Sequence, residues 1–473
     1  MKLNRLRLYI RSNQWAPRLV LTLAVSLWFQ ISVEPKLIYT GDEPHYLLGA
    51  LSFVQDGDFN VLNNYRQKDY VKIGYQQLFP QLHLLHGSRP GFLPTEHGMM
   101  FPLYISLALA IKGVVGVRFF LLATGLLTSC LVMLLCDMLE APPAVGTIAG
   151  SMLVLCPTWQ IYITRVYPEC TAGGLTVLAA VVLVRAQQAT RKWERLWLPF
   201  FAGLLTALLP ILYLRFICLA TGLFGAALTT GTIRRNYRYY LGIACSIGFL
   251  LVCVLIFSRE AALGPDFTSR NNFSFNGMFE RLWYSWFDTW HGLAVYQPVT
   301  LLYWWAMVRF CRTRRLIQGD VLAWLAISAA CYLLTLGLWQ LGPGASLPGR
   351  YLCSLLPIFA VLIGNWVMQD EVGLQVRLAA FASLCVVGVA YLMASASQGL
   401  PPMQVFTWYR AIFPAPWERH GYLQDMWPTP KLDVTLTIRE LETLVLATLF
   451  TSKYVDWIVR EKRIVPSWPV RSK

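Results

Sequence analysis

The chain has 473 residues, 56% of them hydrophobic and 14% charged, with a formal net charge of +15. Soluble domains carry about 25% charged residues, so an ordinary soluble protein is excluded. A mean hydropathy of +0.49 agrees, as do 18 tryptophans, residues that anchor helices at the bilayer interface. The positive charge does not mark a nucleic-acid binder, because Lys and Arg stand in short clusters between apolar runs, as in cytoplasmic loops.

In chain order, Lys2, Arg5, Arg7, Arg11 and Arg18 precede the first apolar run, and no small-residue cleavage site follows it. This reads as a retained first helix with its N-terminus on the cytoplasmic side. Runs long enough to span, or nearly so, fall at 19–33, 117–138, 143–163, 168–184, 196–211, 213–230, 239–257, 293–310, 321–341, 351–368 and 376–393. The expected fold is therefore an all-α membrane bundle of about eleven spanning helices.

Segment 99–116 is apolar too, but the positive-inside rule argues against its spanning. With 99–116 re-entrant or interfacial, the clusters Arg185/Arg191/Lys192/Arg195, Arg234/Arg235/Arg238 and Arg309/Arg312/Arg314/Arg315 all fall inside. The same parity leaves a loop at 34–98, a short one near 164–168, another at 258–292, the turn 342–350 and a tail from about 394 on the non-cytoplasmic side. The expected domains are a transmembrane unit over 1–395, whose first external loop with interfacial helices covers 34–116, and a tail over 396–473. Glu440, Glu442, Lys453 and Asp456 make 438–459 an amphipathic surface helix rather than a twelfth span.

Polar residues concentrate on the external side. The first loop opens Thr40-Gly41-Asp42-Glu43-Pro44-His45-Tyr46. Its two adjacent carboxylates could act as a general base and its helper, or could simply favour a helix N-terminus through the dipole. The run Asp56-Gly57-Asp58-Phe59-Asn60 lacks the glycine and the terminal acid of a calcium loop, with Val61 and Gln67 in their places, so it reads as an Asx turn. His83 and His86 share a helical spacing but no third ligand is fixed, so no metal is assigned, and a divalent ion stays an outside possibility. The 11 cysteines form no CxxC pair, and no disulfide framework is expected.

Arg165-Val166-Tyr167-Pro168-Glu169 occupies the second external loop, and Arg215 follows Pro210 near the outer end of its helix. Such charges in so apolar a chain demand partners. The loop before the eighth span ends Trp286-Phe287-Asp288-Thr289-Trp290-His291-Gly292, and the turn before the tenth reads Gly342 to Gly349, then Arg350-Tyr351. A glycine-rich turn ending in Arg could hold a phosphate, or its Arg could reach to lipid headgroups.

This layout resembles the GT-C superfamily of membrane glycosyltransferases, and among them the protein O-mannosyltransferases and the aminoarabinose transferases of lipid A. The resemblance covers residues 1 to about 395, and it rests on Gly41 to Tyr46 after the first span, Arg165 before Glu169, Phe287-Asp288 through Pro298, and Gly344 through Tyr351. It implies inverting transfer of a sugar from a polyprenyl-phosphate donor to an acceptor hydroxyl, with Asp42 as base and Glu43 assisting. Arg350, Arg165, Arg215 and Tyr351 are then expected at the donor phosphate, and His45, Tyr65, Tyr167, Glu169, Asp288 and His291 around the substrates. The implied partners are that donor and membrane lipid, with a protein, lipid or glycan acceptor and the need for a divalent metal left open. A bacterial inner membrane, with the site facing the periplasm or exterior, is the expected location. A transporter or flippase of lipid-linked glycans and a non-catalytic partner keeping the same fold are the alternatives.

Overall fold

The computed structural model describes residues 20, 22–27, 41–80, 91–95, 98–139, 141, 143–257, 275–276, 278–287, 293, 297–313, 321–338, 349–367, 381–382 and 384–385. Among these there are helices, 3-10 turns and loops but no strands, and the protein is an all-helical integral membrane protein. The expected spans at 19–33 and 376–393, Asp288, His291, the His83/His86 pair and the tail lie wholly or largely outside the described residues.

The elements are α1 (Glu43–Asp56), α2 (Leu62–Arg66), α3 (Met100–Met138), α4 (Pro143–Val154), α5 (Pro157–Tyr162), α6 (Pro168–Gln187) and α7 (Lys192–Leu212). They continue with α8 (Ile217–Thr229), α9 (Gly231–Arg234), α10 (Tyr237–Phe257), α11 (Met278–Phe287), α12 (Leu302–Thr313), α13 (Val321–Leu338) and α14 (Leu356–Val367). Five of them, α3, α6, α7, α10 and α13, are long and apolar enough to cross a membrane. Shorter apolar helices cover Val145–Val154, Leu214–Thr229 and Cys353–Val367.

Two expected spans are broken. The run 143–163 is two helices, α4 and α5, because Pro157 supplies no N–H to continue the ladder and Cys156 before it is extended (φ −81°, ψ 111°). Within the run 293–310, Pro298–Leu301 form a 3-10 turn that leads into α12, again with proline at the start.

Helix α3 is also two pieces, split where Lys112 (φ −142°, ψ 21°) and Gly113 (φ 60°, ψ −151°) leave helical geometry. The halves fold back on one another. Tyr104 Oη lies 3.1 Å from Thr124 Oγ1, whereas a straight helix would separate residues 20 apart by about 30 Å. The first half, 100–111, is only about 18 Å long, short of the ~30 Å hydrocarbon core.

Close crossings by small residues hold the bundle, as expected where lipid tails remove the hydrophobic drive between helices. Helices α7 and α10 meet through Gly203 and Gly242: a Cβ on either would run into a backbone carbonyl of the other helix, that of Tyr239 or of Phe200. Helix α8 meets α13 where Gly222 and Gly225 face Trp324 and Ser328.

Helix α6 positions everything that follows. Its 20 residues, most of them buried, are about 30 Å long and match the hydrocarbon thickness. At its C-terminal end Arg185 pairs with Glu194 (2.7 Å), Gln187 bonds Thr230, and Asn236 bonds the Arg195 carbonyl. Two of the basic clusters thus share one end of the bundle. The other end of α6 begins at Pro168-Glu169, among the charged residues described next.

Candidate active site

Four short segments bring the charged residues together, and local rules explain each. Gly41 adopts φ 72°, a left-handed turn that carries the chain into α1, and Pro44 sits in the first helical turn where its missing N–H costs nothing. Asp42 is the cap residue of α1. Its carbonyl accepts from His45 N (3.0 Å) and Tyr46 N (3.1 Å), but its carboxylate caps nothing and is left to bond elsewhere. Tyr167 is extended (φ −135°, ψ 145°) ahead of Pro168, which opens α6 and places Glu169 in its first turn, where the helix dipole favours an acid. Leu212 ends α7, and a 3-10 turn over Leu214–Phe216 turns Arg215 inward. Gly349 adopts φ 70° and leads into Arg350, whose carbonyl then accepts from Cys353 N at 3.0 Å.

The result is a chain of alternating charges. Arg350 Nη1 donates to Asp42 Oδ2 at 2.6 Å, and Arg350 Nε donates to Glu169 Oε1 at 2.9 Å. Arg215 Nη2 donates to the same Oε1 of Glu169. Glu169 is 0% exposed, and its Oε2 has no hydrogen-bond partner among the described residues, nor has Nε of Arg215. Asp42 is the accessible member, with its side chain 18% exposed.

A second pair lies beside it. Glu43 accepts from Val166 N at 2.7 Å and from Arg165 Nη1 at 3.3 Å, with both side chains almost fully buried. This clasp docks the loop between α5 and α6 onto the start of α1.

Aromatic rings line the cations. The Arg350 guanidinium carbon lies 4.1 Å from the Tyr167 ring centroid and 5.3 Å from that of Tyr351. Arg215 lies over Tyr213 (4.6 Å), Tyr351 (4.7 Å) and Phe216 (5.2 Å). Burial by itself would lower the Arg350 pKa, but Asp42 and Glu169 hold it well above the usual arginine value, so the cation persists. Burial pushes the Tyr167 phenol well up, with Arg350 opposing, and burial followed by the Glu43 carboxylate pushes Tyr75 up. Both phenols therefore remain neutral hydrogen-bond donors near pH 7.

Of the residues singled out in the sequence, the structure brings Asp42, Glu169, Arg215, Arg350, Tyr167 and Tyr351 into one network, with Glu43 and Arg165 against it. His45 Nδ1 bonds the Tyr65 hydroxyl (2.7 Å) on the loop side of α1. Tyr213, Tyr75 and the Val166 N–H went unnoticed in the sequence. Only Tyr213, spaced two from Arg215, carried a signal there.

The Asx reading of 56–60 matches the geometry. Asp58 Oδ1 accepts from Asn60 N and Ser52 Oγ, both at 3.0 Å, and Asn60 ties this turn to Gly91 and Leu93. Among the described residues no group of three or more His, Cys, Asp or Glu could hold a metal. Cys170 and Cys353, both buried, have their sulfurs 3.3 Å apart without a disulfide.

No protein-family model matches the chain, and no curated protein sequence does. Solved structures do. ArnT from Cupriavidus metallidurans, solved with undecaprenyl phosphate bound, superposes with a TM-score of 0.51 at 12% identity, covering 85% of this chain and 68% of that one. Its apo structure gives 0.50 at 15% identity with the same coverage. The chain thus shares its fold with ArnT.

Proposed function

We propose that the protein is an inverting glycosyltransferase that moves a sugar from a polyprenyl-phosphate donor to an acceptor hydroxyl. The observation that carries this reading is the Asp42–Arg350 contact. It puts a solvent-reachable carboxylate, able to take a proton, beside a permanently charged guanidinium, able to hold a phosphate. The ArnT relative by fold was crystallised with undecaprenyl phosphate, a lipid of the class such a donor would release.

In this mechanism the acceptor oxygen attacks the anomeric carbon as its proton passes to Asp42. The bond from that carbon to the phosphate oxygen breaks, and the electron pair leaves with the polyprenyl phosphate. Charge growing on the phosphate is met by Arg350, steadied from behind by Glu169 and Arg215. Arg165, 1% exposed and clasped to Glu43, positions the loop rather than touching the donor, and Glu43 holds α1 in register. Tyr167 and Tyr351 flank the guanidinium, and the hydrogen-bonded pair His45–Tyr65 is assigned to acceptor binding.

The orientation follows from charge. Two of the basic clusters lie at the far end of α6 from this site, and the positive-inside rule makes that end cytoplasmic. The site then faces the periplasm or exterior of a bacterial inner membrane, and residues 100–111 lie in its outer interface.

The test is transfer by purified protein in lipid nanodiscs, supplied with radiolabelled polyprenyl-phosphate sugars and membrane acceptors. Release of polyprenyl phosphate by the wild type, lost in Asp42→Asn, is expected. Undiminished transfer by that variant would remove Asp42 from the chemistry.

A further inference from the structure

We infer that Asp42 is a latch on Arg350 that the donor's phosphate must displace, so that the base is uncovered only when the donor arrives. The inference rests on the reading of the site given above and deepens it.

Two carboxylates share the Arg350 guanidinium. Its planar group offers an oxyanion two forks, one side-on through Nε and Nη2 and one end-on through Nη1 and Nη2. In this structure each fork of Arg350 already has a carboxylate on it. Glu169 Oε1 sits on Nε at 2.9 Å, and Asp42 Oδ2 sits on Nη1 at 2.6 Å. A phosphate can therefore grip Arg350 with two parallel hydrogen bonds only by taking the place of one carboxylate.

Burial and partners decide which one yields. Glu169 is 0% exposed and its Oε1 is also held by Arg215, so pulling it away would strand a second buried cation. The Asp42 side chain is 18% exposed and sits at a cap position where its carboxylate makes no helix bond. Water can receive it when it leaves Arg350. Asp42 is the one that gives way.

Charge balance requires the same exchange. The network counts three carboxylates (Asp42, Glu43, Glu169) and three guanidiniums (Arg165, Arg215, Arg350). A sugar phosphodiester adds one negative charge to a set already balanced, and a low-dielectric site resists that unless a cation is released for it. Moving the Asp42 carboxylate toward water takes its negative charge out of the low-dielectric site and leaves Arg350 to the phosphate. The freed carboxylate loses its stabilising cation and becomes a stronger base at the moment the reaction needs it. Without donor, the base stays tied up.

The consequence is unusual for a base, because removing it should improve donor binding. Undecaprenyl phosphate binding to the full chain in nanodiscs would be measured for wild type, Asp42→Asn and Asp42→Ser, with thermal unfolding as the check on folding. The two variants should bind roughly tenfold tighter than wild type, and Arg350→Gln should lose binding. If wild type binds but neither folded Asp42 variant binds more tightly, the latch is wrong while the lipid-phosphate reading survives. If neither wild type nor the variants bind, the reading of the site itself fails.

Discussion

Asp42 and Glu43 are joined by one peptide bond, yet they meet opposite environments. Glu43 is buried, accepts a backbone N–H and an arginine, and belongs to the scaffold. Asp42 is partly exposed, caps nothing in α1, and pairs with the Arg350 guanidinium. A carboxylate committed to a backbone donor at full burial is costly to disturb, whereas one reachable by water can change partners. Two like residues in sequence thus divide into a buried, doubly held carboxylate and a partly exposed one, and the division comes from what packs over them.

The largest test of that contrast is catalytic. Asp42→Asn should lower turnover by roughly 10²–10⁴-fold, the usual worth of a general base, while thermal stability stays near wild type. A matching loss of stability would erase the distinction from Glu43. Next, Glu43→Gln should destabilise the protein by about 3 kcal/mol, because it strands Arg165 in a buried site, and Arg165→Gln should cost a similar amount. Thermal or denaturant unfolding reads this. An inactive but fully stable Glu43→Gln protein would make Glu43 part of the chemistry instead.

A smaller effect sharpens the role of Arg215. Its guanidinium lies against three aromatic rings and bonds Glu169, so Arg215→Lys keeps the charge but loses planar stacking. The expected result is a rise in KM for the lipid donor of roughly tenfold at ~1–2 kcal/mol, with kcat less affected. Smallest, Asp58→Ala in the Asx turn should cost about 1 kcal/mol through the lost Asn60 and Ser52 bonds and leave transfer unchanged. A large drop in transfer would tie that loop to the acceptor.

Much of the site was legible in the sequence because charged residues are rare in this chain. In a protein only 14% charged, an Asp-Glu pair, an Arg four residues before a Glu, and an Arg after a glycine-rich turn stand out. Their proximity to apolar run ends put them on one face through the positive-inside rule. What could not be read was which arginine meets which acid. Arg165 and Arg350 are equivalent as sequence symbols, yet one clasps Glu43 and the other bridges Asp42 and Glu169. The aromatic company was hidden for a related reason, since Tyr213 and Tyr75 are ordinary among 22 tyrosines.

By itself the sequence determined the membrane class, the approximate helix positions and the charged residue types that stand out near the ends of the apolar runs. Apolar run length and charge clustering are local properties that bilayer thickness converts directly into spans. Only the tertiary structure decided that α4 and α5 break at Pro157, that α3 folds back at Gly113, and which ion pairs form. The ion pairs in particular depend on contacts between residues more than a hundred positions apart, such as Arg165 with Glu43. The energy of a buried charge is set by its partner and its burial, and neither is a property of its own stretch of chain.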